Sequence, residues 1–284
     1  MEARRIALAF ALGLAATLAS AQTAVVEAVQ YPAWLERGGH AVPLTPGTVL
    51  QPRDGLRTGG NARVQMKMAE GSTVKLGENA KFIIDTADNR GAFRAALSVI
   101  AGAFRFTTDE LRKSQKRDVT IRVKNVTAGI RGTDLWGKST DERDLVCLLE
   151  GSISVGSQGH PEVTLDKPLD FYQKPRDGAP SVAKVDEAQI KLWAAETELS
   201  PEGPGATRGG TWAVIAGKYG KRDHALELNR ILRANGYPTE VAVRDGLFVV
   251  QIGGLVGESE ARALMANLRQ VKGVALPTLI APGR

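Results

Sequence analysis

At 284 residues, with 43% hydrophobic and 24% charged side chains, the chain is long enough for two ordinary domains, and its composition excludes a disordered polymer. A net charge of +6, dispersed along the sequence, is compatible with an anionic partner surface such as lipid or cell-wall polymer without demanding one. One cysteine excludes an internal disulfide. The three histidines, His40, His160 and His224, stand apart in turns and at a helix start, which argues against a metal or thiol-catalytic site.

The chain opens with Arg4 and Arg5, an apolar run from Ile6 to Leu18, and Ala19-Ser20-Ala21. A basic start, a short apolar core and an A-x-A end are the parts of a secretory signal peptide, so residues 1–21 are expected to be cleaved after Ala21. The run is too short for a comfortable membrane span, and no cysteine follows it for lipid attachment. No later stretch approaches a span. The mature protein is therefore expected in the periplasm without a stable transmembrane segment.

Residues 22–183 read as an all-β domain, a sandwich or rolled sheet, with trailing loops. Val64, Met66 and Met68 alternate with Arg63, Gln65 and Lys67, and Val119, Ile121 and Val123 alternate with Thr120, Arg122 and Lys124. Period two with charged outward positions means sheets with one wet face. Pro52-Arg-Asp-Gly55 and two Glu-Gly-Ser sequences, at 70–72 and 150–152, are turns by their chemistry. Cys147, inside Leu-Val-Cys-Leu-Leu, reads as a buried strand residue.

Four segments of this region occur together: Gly47 to Thr58 with Gly59, Glu70 to Gly77, Ala128-Gly-Ile-Arg-Gly-Thr-Asp134, and Leu149 to Val155. Their order and spelling resemble the FecR domain, named for a periplasmic regulator that passes an iron-uptake signal to a sigma factor. Arg131 and Asp134 are the motif residues to examine for a partner contact. The bland reading makes them a turn with an ion pair that fixes a strand junction.

Gly156 to Gly178 is rich in turn residues. Asp186 then caps an amphipathic helix, assigned to 184–199, with Gln189 three residues on and Ile190, Trp193 and Ala194 on one side. Residues 200–210, with Pro, Gly and small side chains, read as a flexible linker.

From 211 to the end, an apolar run followed by an amphipathic pattern occurs twice at an offset of about 36 residues, the length of a small repeat unit. Val214 pairs with Val250, Gly217 with Gly253, Ala225 with Ala261, Leu228 with Leu264 and Leu232 with Leu268. Each half is a strand, then a helix capped by Asp223 or Ser259, then a further strand. The order βαββαβ gives a four-stranded sheet with two helices on one face and the other face open. With Gly217, Tyr219, Phe248, Gly253 and Gly254, this stretch resembles the SPOR domain. That resemblance implies binding of peptidoglycan glycan strands stripped of stem peptides. It points to Ile215, Lys218, Leu247, Val249 and Gln251 on the open sheet face as glycan contacts. Ile215 stands where the family usually has Gln, and Val249 where it usually has Arg.

No nucleophile elbow or metal spacing marks an enzyme, and no cofactor is expected. The βαββαβ order is also that of an RNA-binding fold, but its aromatic string is missing and export removes the protein from RNA. The expected partners are peptidoglycan glycan strands and, second, envelope proteins; no nucleic acid is expected. The alternative is a periplasmic sensory or adaptor protein in which both domains bind proteins.

Overall fold

The computed structural model describes residues 23–88, 92–108, 117–130, 132–207 and 210–282. The expected signal peptide and Arg131 therefore lie outside the described residues.

Nine strands come first: β1 (Ala24–Gln30), β2 (Ala33–Arg37), β3 (His40–Pro43), β4 (Val49–Leu50), β5 (Gly55–Thr58), β6 (Arg63–Met68), β7 (Thr73–Leu76), β8 (Lys81–Asp88) and β9 (Phe93–Thr107). Eight more follow: β10 (Arg117–Val123), β11 (Val126–Ile130), β12 (Asp134–Ser139), β13 (Arg143–Glu150), β14 (Ile153–Ser157), β15 (Val163–Leu165), β16 (Asp170–Pro175) and β17 (Ser181–Lys184). After them come α1 (Glu187–Ala195), β18 (Gly205–Thr207), β19 (Trp212–Tyr219), α2 (Arg222–Ala234), β20 (Glu240–Arg244), β21 (Leu247–Leu255), α3 (Glu258–Leu268) and β22 (Thr278–Ile280).

The period-two pattern sets the first domain. Along β6, Val64, Met66 and Met68 point inward while Arg63, Gln65 and Lys67 stay half-exposed, and β10 repeats this with Val119, Ile121 and Val123. Two sheets result, packed on one core that includes Met66, Phe82, Ile84, Leu97, Phe104 and Phe106. The first sheet runs β17-β16-β13-β12-β9-β7-β6-β1. The second runs β3-β2-β5-β8-β9-β10-β11-β14-β15. Strand β9 belongs to both: its first part ladders with β8 and β10, its last part, from Gly102, with β7 and β12. Gly102 sits at that passage with φ of +80°, and a Cβ there would meet the Ala80 Cα at 2.5 Å. Only glycine combines that conformation with so close an approach.

The domain also holds a buried ion pair. Asp144, 0% exposed, accepts from the Ser139 hydroxyl at 2.8 Å, the Asn125 backbone N–H at 3.1 Å, and Arg176 Nη1 and Nη2 at 2.5 and 2.8 Å. Arg176 Nη2 also donates to the Thr140 carbonyl. This network ties the β12–β13 hairpin to the end of β16.

In the C-terminal domain the strands run β20-β21-β19-β22, all antiparallel. Val214, Ala216, Val250 and Ile252 face the helices, which bury Ala225, Leu228 and Leu232 from α2 and Ala261, Leu264 and Leu268 from α3. The helix starts differ from expectation. The N-cap of α2 is Lys221 and that of α3 is Gly257, neither with a side-chain cap bond. Asp223, and Glu258 and Glu260, lie instead in the first turns, where their charge complements the helix dipole. Glu260 does part of the capping from inside, accepting from the Val256 N–H at 2.5 Å.

The segment expected as a flexible linker contains β18, which pairs antiparallel with β1 through Ala28↔Thr207, Val29↔Ala206 and Gln30↔Gly205. Tyr31 N–H donates to the Pro204 carbonyl at 2.6 Å, and the Gln30 amide to the Ser200 carbonyl at 2.6 Å. Further contacts seat the helices on the β domain. Trp34 Nε1 donates to the Ala234 carbonyl at 3.0 Å, Ala33 N–H to the Gly236 carbonyl at 3.3 Å, and Asn267 Nδ2 to the Tyr31 carbonyl at 3.5 Å. The last carbonyls of a helix lack intrahelical donors, so the Trp34 indole satisfies one of the orphans of α2.

Candidate functional site

The register of the C-terminal sheet decides which side chains share its open face. The pairs Glu240↔Gln251, Ala242↔Val249 and Arg244↔Leu247 place these six on one side, and Ile215↔Gln251 and Lys218↔Val249 add Ile215 and Lys218 to it. All five residues expected as contacts therefore share one face, opposite the helices.

Their exposure differs. Lys218 is exposed and Leu247 is 39% exposed, whereas Ile215, Val249 and Gln251 are buried, Val249 at 1%. Ile215, Lys218, Leu247 and Val249 line a cleft of about 440 Å³, together with Trp212, Arg244, Asp245 and Ile280. Gln251 does not line it; its amide is engaged beside it, donating to Glu240 Oε1 at 2.8 Å and accepting from Arg244 Nε at 3.2 Å. Arg244 and Gln251 stand on either side of the Ala242↔Val249 row, so their side chains meet above it. Val249, short and apolar, leaves room for that crossing.

The cleft residues that sequence reasoning passed over include Trp212, Arg244, Asp245, Glu258 and Ile280. The signal for Arg244 was available: in Glu240-Val-Ala-Val-Arg244 it alternates onto the same face as Glu240. A guanidinium absent at Val249 is thus carried by the neighbouring strand. Arginine brings up to five donors in a fixed fork and a flat surface, and the partly exposed Leu247, Trp212 and Ile280 offer apolar surface to the faces of sugar rings.

Asp134 opens β12 in the first domain. It accepts from Arg105 Nε and Nη2 at 3.0 and 2.6 Å and from the Thr107 hydroxyl at 3.2 Å. Next to it Gly151 packs so tightly on the 132–133 turn that a Cβ would meet the Gly132 carbonyl oxygen at 2.7 Å. The bidentate pair fixes a strand junction. Among the described residues no group of three or more His, Cys, Asp or Glu is placed to hold a metal ion. Among them, too, no helix is long and apolar enough to cross a membrane.

Comparison with known families matches residues 54–154 to the FecR protein family and residues 208–277 to the SPOR domain. The chain joins a FecR domain to a SPOR domain. The FecR match falls within the β sandwich, and the SPOR match covers most of the βαββαβ unit. Two crystal structures of a candidate anti-sigma factor from Parabacteroides distasonis, at 2.50 and 1.65 Å resolution, also align, each with 12% identity and a TM-score of 0.42. One alignment covers 76% of this chain and 89% of that one, the other 81% and 99%. No curated protein matches the chain.

Proposed function

We propose that this is an exported, non-enzymatic envelope protein whose SPOR domain binds denuded peptidoglycan glycan strands and so presents the FecR domain at the cell wall in the periplasm. The observation that carries the reading is the cleft on the open sheet face. Its reachable apolar surface is Leu247, Trp212 and Ile280, over the buried Ile215 and Val249, with Lys218 and Arg244 as cationic donors and Asp245 and Glu258 as acceptors. A polyhydroxylated strand, on which removal of each stem peptide by amide hydrolysis leaves a carboxylate, is held by such a mixture, in which ring faces meet apolar surface, hydroxyls meet fixed polar groups and the carboxylates meet the cations. The FecR domain seats against the helices and so leaves this face uncovered.

The test is sedimentation of the full chain with purified sacculi, intact and after amidase removal of stem peptides. Greater binding to amidase-treated wall is expected. Arg244→Ala removes the guanidinium and frees Gln251, and should weaken that binding by about tenfold, the effect of losing one charged hydrogen-bonding group. Wild-type protein that pellets with neither wall would sink the reading.

A second reading, an adaptor in which both domains bind proteins, is favoured by β20. Among the described residues this edge strand has no ladder partner on its outer side, and its own Val243 is 67% exposed. It predicts no binding to either wall.

A further inference from the structure

The outer face of the first FecR-domain sheet is built unlike a face that meets water. One cross-strand row carries Lys75, Arg105, Trp136, Cys147 and Phe171 through β7, β9, β12, β13 and β16, with Lys138 two residues beyond Trp136. Cations beside an indole, a thiol and a phenyl ring need a cover. The segment 185–200 supplies it. Trp193 stacks on Trp136, with ring centroids 4.6 Å apart and planes 6° apart, and meets Phe171 edge-on at 5.8 Å. Glu196 pairs with Lys138 at 2.7 Å, and Glu198 with Lys75 at 2.5 Å and Arg105 at 3.0 Å. The backbone comes down close as well: a Cβ on Gly77 would meet the Glu196 carbonyl oxygen at 2.6 Å.

This cover is lightly held. No residue of α1 is buried, and Leu192 is 66% exposed. The apolar cluster beneath it, Ala103, Trp136, Leu145 and Cys147, is separate from the main core, and within 185–200 only Val185 and Thr197 are buried. Its ion pairs are partly exposed, the kind that adds little stability. The seat is also incompletely filled. Trp136 Nε1 is fully buried without an acceptor, so the segment leaves a donor unmet that a better-fitting occupant would satisfy.

We propose that this face is a peptide-binding site of the FecR domain, held closed in cis by residues 185–200. The partner it fits is an acidic protein segment with an aromatic side chain three residues before one glutamate and five before another, and an acceptor for the Trp136 N–H. The spacing is that of Trp193, Glu196 and Glu198, and the charge complements Lys138, Lys75 and Arg105. The proposal does not rest on wall binding. It adds a consequence: the covering segment runs into Ser200, which Gln30 holds, and on to β18, so exchanging it for a partner loosens the joint between the domains.

Cys147 provides the probe. It is fully buried beneath the segment, and burial, reinforced by Asp170, pushes its thiol up to about 12, so it reacts slowly with an aromatic disulfide reagent while the cover is down. In the full chain, Trp193→Ala should react about tenfold faster than wild type, as loss of a stacked indole pair and its burial implies, with the far-UV spectrum and urea midpoint little changed. If that variant folds poorly, Glu196→Gln with Glu198→Gln, on the exposed side of the contact, serves the same purpose. A synthetic peptide of residues 185–200 should restore slow reaction, and the same peptide with lysine at both glutamate positions should not. Three results would overturn the proposal: variants that react no faster than wild type, no protection by excess peptide, or equal protection by both peptides.

Discussion

Replacing Asp144 with alanine is expected to destabilise the β sandwich by about 3–5 kcal/mol, the range for breaking a buried ion pair from one side. The carboxylate is wholly buried and accepts from two guanidinium nitrogens, a hydroxyl and a backbone N–H. Its removal leaves the Asn125 N–H without this acceptor and the Arg176 guanidinium with the Thr140 carbonyl and the weaker influence of Asp141 in its place. Asp144→Asn keeps the shape and part of the bonding, and should cost less. Arg176→Ala should also cost less, because its side chain is partly exposed and the carboxylate keeps the Ser139 and Asn125 donors. Adding Arg176→Ala to Asp144→Ala should change stability little further, since the pair acts as a unit. Urea unfolding of the four proteins measures this. A cost for Asp144→Ala below that of Arg176→Ala would mean that the network does not organise this end of the sandwich.

No sequence pattern announces that pair. Alternation along β6 and β10 states which side chains face inward, because strand geometry ties face to parity, and the two Ala-x-x-Leu-x-x-x-Leu stripes state where α2 and α3 bury themselves. Both readings are local, and the structure has those elements. Asp144 and Arg176 are 32 residues apart and meet only because β13 and β16 are neighbours. Strand β18 was illegible for another reason: Gly-Ala-Thr is too short to show a period, and its order comes from the free edge of β1. The helix caps moved because an acidic residue serves a first turn nearly as well from inside it as from the cap. At the candidate site, the open face followed from the repeat, and the five residues on it from the resemblance to the SPOR domain. The Arg244 contribution did not, since the reading followed β19 and β21 and not the edge strand beside them.

The largest effect on how the two domains act together is expected from Trp34→Ala. Trp34 is buried at the junction, donates to the Ala234 carbonyl at the end of α2, carries Arg57 over its ring at 3.7 Å, and lies against Gly236. Removing a buried tryptophan costs about 3–5 kcal/mol, and here that falls on the contact that seats α2, leaving the β1–β18 ladder and single bonds from Ala33 and Asn267 to hold the joint. The expected result is undocking: protease cleavage within 200–210 that the wild type resists, and a thermal transition that splits in two. Gly236→Ala approaches the same contact from the other side. Gly236 has φ of +81°, and a Cβ would stand 2.7 Å from Trp34 Cε2, so this substitution both strains the turn and drives the indole away. If both act through one contact, the double variant should be barely worse than Trp34→Ala alone. The cleft lined by Lys218 and Arg244 lies on the sheet face away from this joint, so undocked protein should still pellet with amidase-treated wall as the wild type does. Retained pelleting with lost protection at 200–210 would show that docking fixes the orientation of the FecR domain and not the affinity for the wall. Loss of both would place Trp34 in the folding of the SPOR domain itself and refute a separable joint.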